Sequence, residues 1–200
     1  MKILTMDGQE VKELSGINDL KNQDFSNFFL ENVDFRKAVL DKTNFSNCTL
    51  LNCNFFSSSL YRCNFENATI IESDFRFVSA AQANFDSCEA NETDFYSSSL
   101  EYSTFVHADL TDSKFESANL LETRFHNANL SNVSFISALL VDAYFIDATI
   151  LNTNFSYSVG LDLTNFKKYS LDTNGILKEL IAKGAVFTKE SNDSDWDGKY

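Results

Sequence analysis

The sequence predicts an all-β solenoid, a four-sided β-helix of about seven coils followed by a short C-terminal α-helix. Two observations carry this prediction. From Phe25 to Phe155 every fifth residue is Phe, Leu, Ile or Ala, without insertion or deletion. The chain also has no proline, and it has no glycine between Ile17 and Val159, although ordinary globular chains use both residues in their turns. The repeat itself must therefore make the turns.

A period of five fits neither an α-helix, at 3.6 residues per turn, nor a β-strand, at 2.0. It fits a chain that turns a corner every five residues. We expect the apolar centre and the small residue two positions before it to point inward, and the other three residues to point outward. Four sides close a coil, and coils stack at about the 4.8 Å spacing of strands. Because Phe occupies alternate centres, we expect two stacked columns of rings on opposite sides of the core.

The segments outside the repeat predict caps. Residues 1–16 alternate apolar and polar side chains around Asp7-Gly8, which favours a hairpin or strand that caps the first coil. Residues 17–167 are assigned to the β-helix. Residues 189–200 predict a disordered acidic tail.

Residues 168–188 predict a helix followed by a short strand, because apolar residues recur there at helical spacing and Gly184 follows them. This helix either covers the last coil or pairs with a second copy to form a homodimer through the C-terminal end. Its expected contact residues are Ile176, Leu177, Leu180 and Ile181. Apolar residues at outward positions of the last coils indicate burial against the same partner or cap: Ile136, Leu139, Val141, Tyr144, Ile146, Leu151, Val159 and Leu161.

Charge narrows the classes of partner. The net charge is −13 and the pI is about 4.4, which argues against direct nucleic-acid binding and against an anionic membrane surface. No apolar run reaches the length of a membrane span, and the N-terminus lacks a signal-peptide pattern. With four cysteines that are expected to stay reduced, these features predict a cytoplasmic protein with a protein partner.

No pattern in the sequence predicts catalysis, a cofactor or a metal site. His107 and His126 project outward without a cage of carboxylates, so we expect solvent exposure. The four cysteines fall at the small inward position and are expected to fill the core: Cys48, Cys53, Cys63 and Cys88. No phosphate-binding loop or nucleophile motif is present. The sequence therefore predicts a protein that is not an enzyme.

The unbroken register assigns outward residues to faces. The face centred on Leu30, Leu50, Ile70, Ala90, Leu110 and Leu130, which we call the acidic face, has no Lys or Arg at its outward positions. Its candidate partner-binding residues are Glu72, Glu89, Glu92, Asp109 and Asp112. The next face, centred on Phe35 to Phe155, mixes both charges. It also exposes one aromatic side chain in each of three successive coils, and we call Phe56, Phe77 and Tyr96 the aromatic stripe. Stacked exposed aromatics are typical interface anchors.

Several repeats, among them CNFEN, ANFDS, ADLTD, ANLLE and ANLSN, resemble the pentapeptide-repeat family pattern A-(D/N)-(L/F)-x-x. The resemblance covers residues 24–157 and implies a right-handed quadrilateral β-helix without enzyme chemistry. It also implies two functions of different class. Some members are scaffolds or interaction modules. Qnr-like and MfpA-like members, which are bacterial, are acidic rods that mimic DNA and bind type II topoisomerases such as DNA gyrase or topoisomerase IV, often dimerising through a C-terminal helix. Phage-borne members also exist.

Overall fold

The chain winds into a β-helix in which each position lies beside the position 20 residues later. The computed structural model describes residues 2–5, 19–161 and 186–187. Parallel bridges connect Asp34 to Asn54, Asn54 to Asp74 and Asp74 to Asp94, and the same 20-residue step recurs on the other sides. Four five-residue sides therefore make one coil. The inward residue of each side lies at the predicted centre, as shown by the complete burial of Leu60 and Phe65.

The named strands are short because most sides contribute a single bridging residue. β1 to β4 form one sheet in that order; β1 is antiparallel to β2, and the later pairs are parallel. Leu30, Leu50 and Ile70 are in register across β2, β3 and β4. A second sheet consists of β5 and β6. The strand bounds are β1 Lys2–Thr5, β2 Phe28–Glu31, β3 Thr49–Leu51, β4 Thr69–Ile71, β5 Val159–Leu161 and β6 Val186–Phe187.

Left-handed backbone at every corner replaces the missing glycines. Every fifth residue from Asn22 to Tyr157, two positions after a centre, has a φ between 50° and 63°, and none of them is glycine. At most corners the carbonyl of the centre accepts a hydrogen bond from the amide three residues on, as from Ser58 to Phe55 at 2.9 Å. This is a β-turn with positive φ at its third residue, where glycine is usually preferred. The sequence predicted that the repeat makes the turns, but it did not predict this left-handed backbone conformation.

The phenylalanine centres form the two predicted columns. Rings one coil apart in the same column stack, as Phe65 does on Phe85 with centroids 4.7 Å apart and planes 2° apart. Rings in opposite columns meet edge to face, as Phe85 meets Phe95 at 5.7 Å and 87°. Both arrangements are favoured by the ring quadrupole.

Many polar side chains at the small inward position donate hydrogen bonds to turn carbonyls. The Thr43 hydroxyl donates to the Leu20 carbonyl at 2.6 Å, and the Cys63 thiol donates to the Leu40 carbonyl at 2.9 Å. The corner thus supplies an acceptor for many of the Ser, Thr and Cys side chains in the core, whereas the hydroxyls of Ser58 and Thr93 are buried without a hydrogen-bond partner.

Both ends of the described rod carry an added strand. β1 pairs with β2 at the N-terminal edge, and β6 pairs with β5 at the other end. The pairing of β5 is irregular at Gly160, so that Leu161 is buried with 1% of its surface exposed. This corrects the expectation that Leu161 points outward. Most of the predicted 1–16 cap, the predicted helix with Ile176, Leu177, Leu180 and Ile181, and the predicted tail lie outside the described residues.

Candidate protein-binding faces

The acidic face carries its carboxylates in two neighbouring columns. Glu72, Glu92 and Asp112 occupy the left-handed corner position of successive coils, and all three are exposed. Glu89 and Asp109 form the second column, where a parallel bridge joins them one coil apart. The Glu89 side chain is exposed. That of Asp109 is half-buried and accepts hydrogen bonds from the Thr111 amide at 3.1 Å and hydroxyl at 2.6 Å.

A shallow groove of about 290 Å³ lies between two coils of this face. Glu72, Glu89 and Glu92 line it together with Ile71, which is 41% exposed. The groove lies where the backbone of this face changes conformation from one coil to the next. The strand β4 extends through Ile71, whereas the corner one coil later closes with a hydrogen bond from the Thr93 amide to the Ala90 carbonyl. Ala90 is also smaller than the Leu and Ile centres elsewhere on this face. Asp109 and Asp112 lie one coil beyond.

No cation neutralises the acidic face within residues 19–161. The ion pairs in that range are Lys21 with Asp19 at 3.8 Å, Arg36 with Asp34 at 2.7 Å and Arg76 with Asp74 at 2.7 Å, all on other faces. Carboxylates at the spacing of successive coils repel one another unless a counter-charge lies nearby. The acidic face is therefore suited to a positively charged partner surface.

The aromatic stripe is a continuous series of ring contacts. Phe56 meets Phe77 with centroids 5.3 Å apart and planes at 64°, and Phe77 meets Tyr96 at 5.5 Å and 78°. Phe77 is 46% exposed and Tyr96 is 39% exposed, whereas Phe56 is half-buried, which corrects the expectation that all three side chains are exposed. The three rings zigzag between two corner positions and present an apolar strip across three coils.

Arg76 borders the stripe and belongs to a balanced charge pattern. Its guanidinium lies 5.6 Å from the Phe56 ring centroid and donates two hydrogen bonds to the Asp74 carboxylate, at 2.9 and 2.7 Å. Burial acts to raise the pKa of Asp74, but the hydrogen bonds and charge of Arg76 outweigh it and the pKa lies below 3.8. Unlike the acidic face, this face thus pairs carboxylate with cation.

A protein-family model described as pentapeptide repeats matches the chain in eight copies over residues 19–50, 50–86, 81–116, 93–132, 108–145 and 123–158. The chain belongs to the pentapeptide-repeat family. Family members are generally non-enzymatic scaffolds or binders and form right-handed β-helices. A search of curated proteins found no significant match.

Several solved structures are similar to this pentapeptide-repeat protein. A trypsin-treated variant of QnrB1, a plasmid-mediated fluoroquinolone resistance protein, is 18% identical, covers 84% of this chain and 98% of its own, and has a TM-score of 0.49. HetL from the cyanobacterium Nostoc, a pentapeptide-repeat protein involved in heterocyst differentiation regulation, is 12% identical, with 74% and 93% covered and a TM-score of 0.33.

The histidines and cysteines of this pentapeptide-repeat protein are not assembled into a reactive centre. His107 is exposed, but His126 is only half-exposed and its ring stacks on Tyr144 with centroids 5.9 Å apart, which corrects the expectation of full solvent exposure. Burial and the charge of Arg124 lower the pKa of His126. All four cysteines are buried free thiols. Among the described residues no group of three potential ligands could hold a metal ion.

The described residues contain no helix that is long and apolar enough to cross a membrane. Neither the groove nor the partial burial of His126 was predicted from the sequence. The groove had a signal, since Ala90 interrupts a column of Leu and Ile, and so did His126, since Tyr144 lies near it in the next coil.

Proposed function

We propose that this pentapeptide-repeat chain is a non-enzymatic, cytoplasmic protein-binding rod, a scaffold or interaction module that binds its partner through the aromatic stripe. The observation that carries the proposal is the unbroken series of contacts from Phe56 through Phe77 to Tyr96, in which the last two rings remain about half exposed. Aromatic side chains that are already held by their neighbours lose little conformational entropy on binding and dominate interface energetics.

Stacking of the rings also stabilises the rod itself, so the test must separate binding from stability. The triple variant Phe56→Ser, Phe77→Ser, Tyr96→Ser is compared with the wild type in capture of partners from a host lysate. The control variant is Ile71→Ser, Leu151→Ser, Tyr157→Ser, which removes three exposed apolar side chains from other positions. For the captured partner, loss of the stripe should raise the Kd by about 30-fold or more, while the control stays near the wild type. Equal capture by all three proteins would eliminate the stripe as the interface.

A second candidate function is DNA mimicry. In this proposal the acidic face binds the DNA-binding surface of a type II topoisomerase, DNA gyrase or topoisomerase IV, and inhibits or protects it. Support comes from the uncompensated carboxylates of Glu72, Glu89, Glu92, Asp109 and Asp112 together with the resemblance to acidic rods of the family. The rod itself would not contact nucleic acid.

Inhibition of gyrase supercoiling tests this candidate. The variant Glu72→Gln, Glu89→Gln, Glu92→Gln should inhibit less than the wild type, and adding Asp109→Asn and Asp112→Asn should weaken inhibition further. The control variant Asp19→Asn, Asp24→Asn, Glu66→Gln removes three exposed charges from other faces. Inhibition should weaken with added salt because it depends on charge. If neutralising all five carboxylates leaves inhibition unchanged, DNA mimicry by this face is wrong.

We also propose that the C-terminal end can pair two copies through the segment with Ile176, Leu177, Leu180 and Ile181. Changing Leu177 and Leu180 to Ser should then raise the dimer dissociation constant in sedimentation, whereas a helix that only caps the last coil would leave that constant unchanged.

A further inference from the structure

One corner of the rod carries a charge series that runs from positive to negative. This corner follows the face centred on Leu40, Leu60, Ala80, Leu100, Leu120 and Leu140, and we call it the polar corner. After the uncharged Asn22, its left-handed positions in order along the rod are Lys42, Arg62, Gln82, Tyr102, Glu122 and Asp142. All six residues are exposed.

The backbone places these six residues in one line. The Arg62 amide donates to the Ala81 carbonyl in the next coil at 3.1 Å, and the Tyr102 amide donates to the Leu121 carbonyl at 2.8 Å. The Arg62 side chain also reaches along the line and donates from Nε to the Gln82 amide oxygen at 2.7 Å. Successive members are therefore about 4.8 Å apart, the spacing of hydrogen-bonded strands.

The charges along the polar corner are complementary to the same charges read in the opposite direction, as they would be in an antiparallel second copy. If a second copy lies antiparallel, with a two-fold axis between the rows of Gln82 and Tyr102, each row faces the row at the other end. Lys42 then faces Asp142, Arg62 faces Glu122 and Gln82 faces Tyr102, and two-fold symmetry makes each of these contacts twice. We propose that the polar corner is a surface for side-by-side, antiparallel pairing with a second copy of this chain.

The other three corners lack this property. On the acidic face, reversal brings Glu72 against Asp112 and Glu92 against itself, so like charges repel. The corner after the Phe35 face has Lys37 as its one charged member within residues 19–161, and the corner after the Phe45 face has Asp147. Charge complementarity therefore selects both the surface and its occupant.

Residues beside the polar corner are compatible with the same pairing. In the antiparallel arrangement the row of Tyr61 faces the row of Leu121, and the row of Asn64 faces the row of Arg124. Tyr61 and Leu121 are both half-buried on their own rod and would cover each other further. No like charges meet in these rows. A contact along one corner is narrow, below the roughly 1,000 Å² of stable interfaces, so the dimer is expected to be weak and reversible.

Charge exchange between two variants tests the proposal. Every protein compared, including the reference called wild type, also carries Leu177→Ser and Leu180→Ser, so that pairing through the C-terminal end does not contribute. The first variant carries Lys42→Glu and Arg62→Glu, and the second carries Glu122→Lys and Asp142→Lys. Each alone brings like charges together at every pair, so its dimer dissociation constant should rise more than about tenfold over the wild type. A mixture of the two restores opposite charges at all pairs, and the heterodimer should form at the wild-type strength. Sedimentation velocity near 0.15 M salt measures this, because the long-range repulsion between acidic chains is largely screened there.

Control variants alter net charge equally at other places. Lys37→Glu with Lys114→Glu matches the first variant, and Glu31→Lys with Glu66→Lys matches the second; both controls should self-associate like the wild type. Circular dichroism verifies folding, and the milder pair Lys42→Gln, Arg62→Gln should weaken the dimer in the same direction. A wild type that remains monomeric at its highest soluble concentration would overturn the proposal. So would association of either charge variant at wild-type strength, or a mixture that associates no better than its components.

Discussion

Gly160 lies against the backbone of Val141 one coil earlier. A Cβ atom at position 160 would be 2.8 Å from the amide nitrogen and 2.9 Å from the Cα of Val141, and closer still to its Cγ2. Earlier coils carry a leucine or alanine centre at this position, but here Val141 leaves no room for a Cβ atom. The φ of 86° at Gly160 and the bulge in β5 accompany this close approach.

We expect Gly160→Ala to destabilise the C-terminal coil by about 2 kcal/mol, because overpacking against backbone forces the two chain segments apart. Amide hydrogen exchange would show lost protection around residues 139–161 while residues 60–100 keep theirs. The matched control is Leu151→Ala in the same coil, whose side chain is 64% exposed and should matter little. Unchanged protection in Gly160→Ala would mean that the close approach is not tight in solution.

Truncation of a core phenylalanine should lower the free energy of unfolding far more than truncation of a surface phenylalanine. Phe105 is fully buried between Phe85 at 4.7 Å and Phe125 at 5.2 Å, whereas Phe77 is 46% exposed. We expect Phe105→Ala to lower the free energy of unfolding by about 4 kcal/mol through lost contacts and a cavity. Phe77→Ala should cost less than about 1.5 kcal/mol, since it loses edge contacts but leaves no cavity. Urea unfolding measures both, and similar losses would contradict the assignment of the stripe to the surface.

His126 should make stability depend on pH below neutrality. Its pKa is lowered from 6.5 by burial first and by Arg124 second, with partial opposition from Asp147, and its Nδ1 is buried without a hydrogen-bond partner. Because the unfolded chain binds this proton more tightly, the stability contribution is full above pH 6.5 and is lost as the pH falls through the folded pKa.

The melting temperature of His126→Gln should accordingly fall less than that of the wild type when the pH is lowered from 7 to 5. His107→Gln, which alters an exposed histidine, serves as the control. An NMR titration should place the His126 midpoint below 6.5. A midpoint at or above that value would show that the ring is not buried as described.

The cysteines should resist alkylation in the folded rod. Burial raises the pKa of Cys48, Cys53 and Cys63 to about 12 and also raises that of Cys88. Only the thiolate reacts, so both its scarcity and the closed core oppose modification. Iodoacetamide at pH 8 should label these thiols only after urea is added, whereas a cysteine introduced by the exposed change Ser117→Cys should react at once. Rapid labelling of the native thiols would mean that the coils open readily.

Much of the fold followed from the sequence because inward positions recur at a fixed interval. Once Phe25 to Phe155 are in register, the burial of each centre and the face of each outward side chain follow from position alone. The aromatic stripe was predictable for this reason, and so was the clustering of Glu72 with Glu92.

Features that depend on contacts between particular neighbours did not follow. Leu161 is buried because Gly160 lets two backbone segments meet, which a five-residue pattern does not encode. The Arg76 guanidinium lies over Phe56 as well as against Asp74, and this depends on side-chain conformation. The left-handed corners were hidden because Asn, Ser, Lys and Glu stand where glycine would have marked them.

Because each residue bridges to the residue 20 positions later, insertions or deletions that keep the core apolar can still disrupt the surface pattern. Loss of five residues would keep every centre apolar but would exchange the Phe and Leu columns and turn all later faces by a quarter of a revolution. Loss of ten would restore the Phe columns yet put later acidic residues on the opposite side. Only whole coils can be duplicated or deleted without breaking the acidic face, the aromatic stripe or the polar corner. Surface function therefore sets the step in which such a gene can change its length.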